Sequence, residues 1–374
     1  MVCDHSNKVS TRFLSRLIQK LEIFVVDNSD RVNIEEICQS LLSELMPYLE
    51  PQKSHIFLEE IINDSLHFVL DRPNGLDAKI MKTTIQEMRA AFAVFAPFAA
   101  QKKVTIFGSA RVKENAPLYA HTVEVAAELA QHDWMVVTGA GPGIMEAGMK
   151  GAGAEKSIGV SIRLPMENEA NALIANDSKH VSMRYFFTRK LMLVKESQAF
   201  ICLPGGFGTL DETFELLTLV QTGKSMPVPI VFLDAPGDTY WEQVNAFIQN
   251  ELVSRDLVSG ADTSLFFITN SIQEAVSEIR NFYTNYHSLR YIGKSLIIRL
   301  QHSITDQQLE LMNKEFGYLC TSGSIERTET HKVELRDSDH PELPRIKFSF
   351  TKVEYGDLRR FINRLNSFYP IVSS

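Results

Sequence analysis

Between residues 101 and 290 short apolar runs recur at a steady interval: VTIF (104–107), WMVV (134–137), IGVSI (158–162), AFICL (199–203), IVFL (230–233) and LFFI (265–268). Helix-patterned stretches such as LYAHTVEVAAELAQ and TYWEQVNAFIQNELV lie between them. Apolar runs of this length read as buried strands. Strand, helix and strand at this spacing require crossover connections. The expected fold class is therefore α/β, a doubly wound parallel sheet with helices on both faces. Ligands of such sheets bind outside the carboxyl ends of the strands. The loops directly after the strands are where function is expected.

Two flanking regions differ in pattern. Residues 1–100 read as helical: Phe13, Leu14, Leu17, Ile18 and Leu21 share one helical face, as do Ile34, Ile37, Cys38, Leu41 and Leu45. Asn33 suits the start of that second helix and Pro47 its end. HIFLEEIINDSLHFVL and IQEMRAAFAVFAPF are further helix candidates, separated by DRPNG. No catalytic constellation is evident here, and packing or subunit contact is the expected role. Residues 291–374 read as a small α+β module. It holds a strand at SLIIRL (295–300), a capping box from Thr305 and Gln308, a second strand at YLCTS, an alternating strand at RIKFSFTKV, and a closing helix carrying Leu358, Phe361, Ile362 and Leu365. That β-α-β-β-α order resembles small ferredoxin-like or ligand-sensing modules; a plain dimerisation or capping module is the equal alternative.

Composition narrows the function classes. A formal charge of -8 over 374 residues argues against a nucleic-acid binder relying on bulk positive charge. Cys3, Cys38, Cys202 and Cys320 stand far apart, in no metal-ligand or disulfide spacing. Cys202 sits in an apolar run and reads as a core thiol. No apolar run is long enough to span a membrane, and the first residues have no continuous apolar segment. A cytoplasmic protein with no membrane partner is expected.

The loops carry the chemistry. VTIF runs into Gly108-Ser109-Ala110-Arg111, which combines close backbone approach, a hydroxyl and a guanidinium. WMVV runs into TGAGPGIMEAGMKGAG, where Thr138, Gly139, Gly141 and Gly143 precede a helix whose first amides can hold an anion. The dinucleotide fingerprint fails, because Ile144 stands where its last glycine belongs and no ribose-binding acid follows. Glu146 in that helix either complements the helix dipole or binds ligand. AFICL runs into PGGFGTLDE, in which Gly205, Gly206 and Gly208 bare the backbone. Thr209 can cap the following helix or bind phosphate. Glu212 is either the far end of a T-x-x-E capping box or a carboxylate beside a phosphate cradle. Upstream, SMRYFFTRKLMLVKES supplies Arg184, Arg189, Lys190 and Lys195. GKS at 223–225 is not a P-loop, since Thr218 replaces the required glycine; Gly223 reads as a helix C-cap.

These motifs together resemble one family. PGGFGTLDE is similar to the P-G-G-x-G-T-x-x-E motif of the LOG family, phosphoribohydrolases long mislabelled lysine decarboxylases, and the RK of FFTRKLM to its companion arginine motif. GSAR, TGAGPGIMEAGMKGA and LVQTGK resemble the longer bacterial members, over residues 100–285 or so. The resemblance implies a Rossmann-like fold, a homo-dimer or higher homo-oligomer, and no metal or redox cofactor. It implies hydrolysis of the N-glycosidic bond of a small-molecule nucleoside 5′-monophosphate, AMP-like, to free base and ribose 5-phosphate. Carried across, Arg189 and Glu212 form the catalytic pair. Gly205, Gly206, Gly208 and Thr209 hold the 5′-phosphate. Gly108, Ser109, Arg111, Thr138, Gly139, Gly141, Gly143, Glu146 and Lys190 complete the nucleotide site. Longer members read G-L-N-I-E-L-P-x-E-Q where this chain has GVSIRLPMEN, so Arg163 and Asn168 depart from the pattern. The alternative class is a non-catalytic nucleotide sensor, with the C-terminal module as its output.

Overall fold

The structure, a computed structural model, describes Ser40, Ser43 and residues 55–163 and 171–371. The expected helical faces at 13–21 and 34–45, with Asn33 and Pro47, lie outside the described residues, as does Asn168. The chain divides into two units, residues up to Lys82 and residues from Thr83 onward. In the first, α1 (His55–Leu70) is followed by the start of α2 (Gly75–Phe95). DRPNG separates them as its turn residues predict. The Asn74 side chain accepts from the amides of Leu76 (2.9 Å) and Asp77 (3.0 Å), which caps α2.

The second unit is built on a seven-stranded sheet. Its elements run β1 (Lys103–Phe107), α3 (Pro117–Gln131), β2 (Met135–Thr138), α4 (Ile144–Ala152), β3 (Ser157–Ile162), β4 (His180–Met183), α5 (Phe186–Lys195), β5 (Ala199–Cys202), α6 (Phe207–Gln221), β6 (Ile230–Leu233), α7 (Tyr240–Phe247), β7 (Phe267–Thr269) and α8 (Ile272–Asn281). The strand order is β4-β3-β2-β1-β5-β6-β7, and every pairing is parallel. Two apolar clusters cover its two faces, one around Met192, Leu193 and Phe200, the other around Val104, Val125 and Ile201. This is the doubly wound α/β sheet that the alternation predicts. The six expected strands form. Beyond them β4 adds an edge strand that no apolar run announces.

Chain order reverses between β1 and β5, which pair directly, Val104 with Ala199 and Phe107 with Cys202. That reversal opens a crevice at the carboxyl ends of the two strands. The loops after β1 and β5 flank it and are tied together, the Ser109 amide donating to the Pro204 carbonyl at 3.3 Å.

The C-terminal module continues with β8 (Tyr286–Ile292), β9 (Ser295–Leu300), α9 (Asp306–Phe316), β10 (Glu326–Arg327), α10 (Lys332–Asp337), β11 (Arg345–Phe348) and α11 (Tyr355–Ser367). Its antiparallel sheet has the order β10-β11-β9-β8. Thr305 and Gln308 form the expected capping box on α9. The expected β-α-β-β-α order is corrected. A leading hairpin partner, β8, precedes SLIIRL, and YLCTS contributes only a bridge from Cys320 to Phe350. The division into 1–100, 101–290 and 291–374 stays a proposal, and the β8–β9 hairpin spans its second boundary.

Candidate functional site

A cleft of about 1390 Å³ lies across the carboxyl ends of β1 to β5. Strands about 4.8 Å apart place β5 and β4, four spacings distant, about 19 Å from one another. The cleft is thus long enough for a nucleotide-sized ligand.

One end is built by the loop after β5. Helix α6 starts at Phe207 with Gly206 as its N-cap, and no side chain caps it. This corrects the capping expectation for Thr209 and the T-x-x-E box. Thr209 lies inside the first turn, and Glu212 three residues further along. The glycines let the helix begin earlier than a threonine cap would. The first amides of α6 have no intrahelical acceptor and face a site where the helix dipole favours negative charge. Gly205 is required by close approach: a Cβ there would stand 2.2 Å from Thr209 Oγ1. The Tyr240 hydroxyl donates to the Gly205 carbonyl at 2.8 Å and holds this loop from α7.

The middle of the cleft holds the Arg189–Glu212 pair. Arg189 projects from α5 and is 7% exposed. Its Nε donates to the Val160 carbonyl within β3 (3.0 Å), and one terminal nitrogen lies 3.2 Å from Glu212 Oε1. The other terminal nitrogen lies against Gly139, where a Cβ would stand 2.0 Å from it. Burial raises the Glu212 carboxyl above the ordinary range; the Arg189 and Lys190 cations oppose that shift, and Asp211 and Glu215 add to it. Burial likewise lowers Arg189, against the pull of Glu212. Asp211 is not the buried carboxylate. It faces Lys190 at 2.6 Å, and Lys190 also meets Glu215 at 2.7 Å. Burial works against the Lys190 cation, but hydrogen bonds from both carboxylates outweigh it and hold it above its usual value. Cys202 of β5 is fully buried, its thiol pushed up to about 12 by burial, as an inert core thiol should be.

The far end holds Arg163, already noted as a departure from the family pattern, and Ser161, Asn176, His180 and Ser182, which sequence reasoning did not single out. Ser161 Oγ and His180 Nε2 are 2.8 Å apart, and burial holds the imidazole below its usual value. Arg163 Nε donates to Ser182 Oγ at 3.2 Å, with Asn176 on the same wall.

Of the residues singled out from sequence, Gly108, Ser109, Arg111, Gly139, Gly141, Arg189, Gly205, Gly206, Gly208, Thr209 and Glu212 line this one cleft. Four stand elsewhere. Thr138 is buried, and its hydroxyl accepts from the Ala140 amide at 3.0 Å. Gly143 has φ +67°, and a Cβ there would meet the Ser109 carbonyl at 2.5 Å, so it shapes the turn into α4. Glu146 acts on Tyr119 and is not part of the lining. Lys190 lines a neighbouring groove with Phe186, Phe187 and Phe207. Among the described residues no group of three or more His, Cys, Asp or Glu could hold a metal ion.

The family model described as "Possible lysine decarboxylase" matches residues 142–279. A cytokinin riboside 5′-monophosphate phosphoribohydrolase of Arabidopsis thaliana is 26% identical over 184 residues, 48% of this chain and 84% of that protein. A probable enzyme of the same name from that plant is 30% identical over 151 residues, 39% of this chain and 72% of its own. The chain belongs to the LOG family. A bacterial member, the cytokinin riboside 5′-monophosphate phosphoribohydrolase of Mycobacterium tuberculosis, is 28% identical over 173 residues, 43% of this LOG-family chain and 86% of that protein. Among solved structures, a molybdenum cofactor binding protein from Rippkaea orientalis matches 48% of this chain and 96% of its own at 20% identity, with a TM-score of 0.33.

Proposed function

We propose that this chain hydrolyses the N-glycosidic bond of a nucleoside 5′-monophosphate, AMP-like, releasing free base and ribose 5-phosphate. The observation that carries the reading is the buried Arg189–Glu212 pair, set beside an uncapped helix start in one cleft. The 5′-phosphate lies at the first turn of α6, against the backbone of Gly205, Gly206 and Gly208 and the Thr209 hydroxyl, with Ser109 and Arg111 across the crevice. The sugar then reaches Glu212, and the base extends toward β3 and β4.

In the reaction the bond from C1′ to the base nitrogen breaks, and the sugar gains oxocarbenium character. The Glu212 carboxylate faces that positive charge and takes a proton from the attacking water. Water oxygen bonds to C1′, the base departs with the electron pair and takes a proton from solvent, and Glu212 returns to solvent the proton it took from the water. Arg189 stays a cation, so it orients Glu212 and stabilises negative charge rather than donating a proton. Binding energy at the phosphate helps position C1′. The names of the plant and bacterial relatives support this reading.

We further propose a homo-dimer through the outer faces of α5 and α6. Phe186, Phe187, Leu191 and Phe207 are exposed there, Phe207 at 94%, with Met226 exposed just beyond α6. Such a patch marks a protein contact.

The test compares nucleoside 5′-monophosphates with the matching nucleosides, following free base by chromatography. Base release from monophosphates at a kcat/KM at least about 100-fold above that from nucleosides is expected, since remote phosphate binding assists the reaction. Release from nucleosides at the same rate, or from neither, contradicts the proposal.

A further inference from the structure

The described part of α2 beyond Thr83 carries one buried charge, Glu87, 5% exposed. It lies outside the cleft lining. An apolar residue would suffice if this helix only packed. Ala91 and Phe95 already pack in one cluster with Met192 and Leu193 of α5, and the Phe92 ring lies under Lys195 Nζ. A buried carboxylate is unfavourable unless hydrogen-bonded. Both oxygens of Glu87 find donors, and both donors belong to the start of α5. Oε1 accepts from the Arg184 amide at 2.5 Å, and Oε2 from the Thr188 hydroxyl at 2.7 Å. The α5 N-cap, Tyr185, makes no side-chain cap of its own. The negative charge also lies at the helix end that favours it.

Arg189 follows Thr188 directly. The guanidinium tolerates little movement, since Val160, Glu212 and Gly139 contact it on three sides. We propose that Glu87 is a positioning residue for the Arg189–Glu212 pair: it locks the first turn of α5 so that Arg189 meets Glu212. This rests on the role given to that pair under the proposed function. It gives the second-unit part of α2 a role in the reaction without any contact with substrate.

The test follows base release by the full chain carrying Glu87→Ala, Glu87→Gln, Glu87→Asp or Thr188→Val, at a temperature well below each variant's melting. Glutamine keeps both bonds, its carbonyl accepting from Arg184 and its amide donating to Thr188. Alanine removes both contacts and leaves the Arg184 amide without its acceptor, while the Thr188 hydroxyl keeps only the Tyr185 carbonyl within its own turn, at 2.9 Å. The expected result for Glu87→Ala is a kcat lower by about 10- to 100-fold with KM within about 3-fold, the size of losing an electrostatic contact. Glu87→Gln should stay within about 3-fold of the parent, and Glu87→Asp and Thr188→Val should fall between.

A second readout does not need activity. Carbon-13 NMR titration of the Glu212 carboxyl reports the same geometry. Arg189 and Lys190 of α5 face that group, with Asp211 and Glu215 of its own helix and the Cys202 thiol from β5. Weakening the Arg189 contact removes a cation, so the Glu212 midpoint should rise in Glu87→Ala and stay put in Glu87→Gln. A folded Glu87→Ala with parental kcat and midpoint overturns the proposal, as do equal losses in alanine and glutamine. If the alanine variant does not fold, parental behaviour of both Glu87→Asp and Thr188→Val overturns it. A parent that releases no base refutes the hydrolase reading, while the midpoint still decides whether Glu87 positions Arg189.

Discussion

At Gly139 the absence of a methyl group decides where the Arg189 guanidinium lies. A Cβ would stand 2.0 Å from its terminal nitrogen and 2.7 Å from Met145 Sδ, both ends of flexible side chains. Gly139→Ala should therefore fold and misplace the guanidinium, lowering kcat/KM by about 10- to 100-fold with little change in melting temperature. The sign of its pH effect follows from Glu212. The proposed reaction needs the carboxylate, burial already raises its pKa, and Arg189 lowers it. Activity in the parent should thus fall on acidification at a pH above the ordinary carboxylate range. In Gly139→Ala, with the cation displaced, that acidic limb should move to still higher pH. A pH–rate profile of both proteins checks this, and a limb unmoved or moved downward contradicts it. At this scale Arg189 and Glu212 were named through the family resemblance; spacing alone left Glu212 open between a helix cap and a site carboxylate. Tyr240, His180 and Glu87 were not named, since each stands alone in an ordinary-looking helix or strand and acts only through its distant contact.

At the scale of elements, strong apolar runs were readable and mixed ones were not. VTIF, AFICL and IVFL are central strands buried on both faces. His180–Met183 is the sheet's edge strand, with alternating half-buried positions, and it is too short and polar to declare itself. YHSLRYI, which forms β8, was missed for the same reason: it lies at the edge of the smaller sheet. The start of α6 was misread because threonine is a better N-cap than glycine in general. In the proposed function the exposed glycine amides serve a ligand instead, and tertiary context overrides the capping preference. The helix thereby gains a free first turn at the place where the proposed phosphate lies.

At the scale of the whole second unit, the C-terminal module is built into the parallel-sheet domain. Arg359 of α11 is buried, donates to the Val228 carbonyl at 2.9 Å, pairs with Glu278 and lies over the Phe282 ring. Tyr355 packs on Gly223, just past the end of α6, where φ is +68° and a Cβ would stand 2.0 Å from the phenol oxygen. Gly223→Ala should cost about 1–3 kcal/mol from overpacking, plus about 1 kcal/mol of backbone strain, seen as a lower melting temperature. Adding Tyr355→Ala should relieve the overpacking part, so the two changes should be non-additive in a double-mutant cycle. Strict additivity would show that the contact does not join module to domain. Helix α6 thus runs from the module at one end to the proposed phosphate and Glu212 at the other. The most direct test of that arrangement is to measure nucleotide binding and base release side by side for the parent and Glu212→Gln. The account predicts that the variant binds a nucleoside 5′-monophosphate within a few-fold of the parent and releases base at least about 1000-fold more slowly. A variant that still releases base at the parental rate, or a parent that binds nucleotide and never cleaves it, would contradict it.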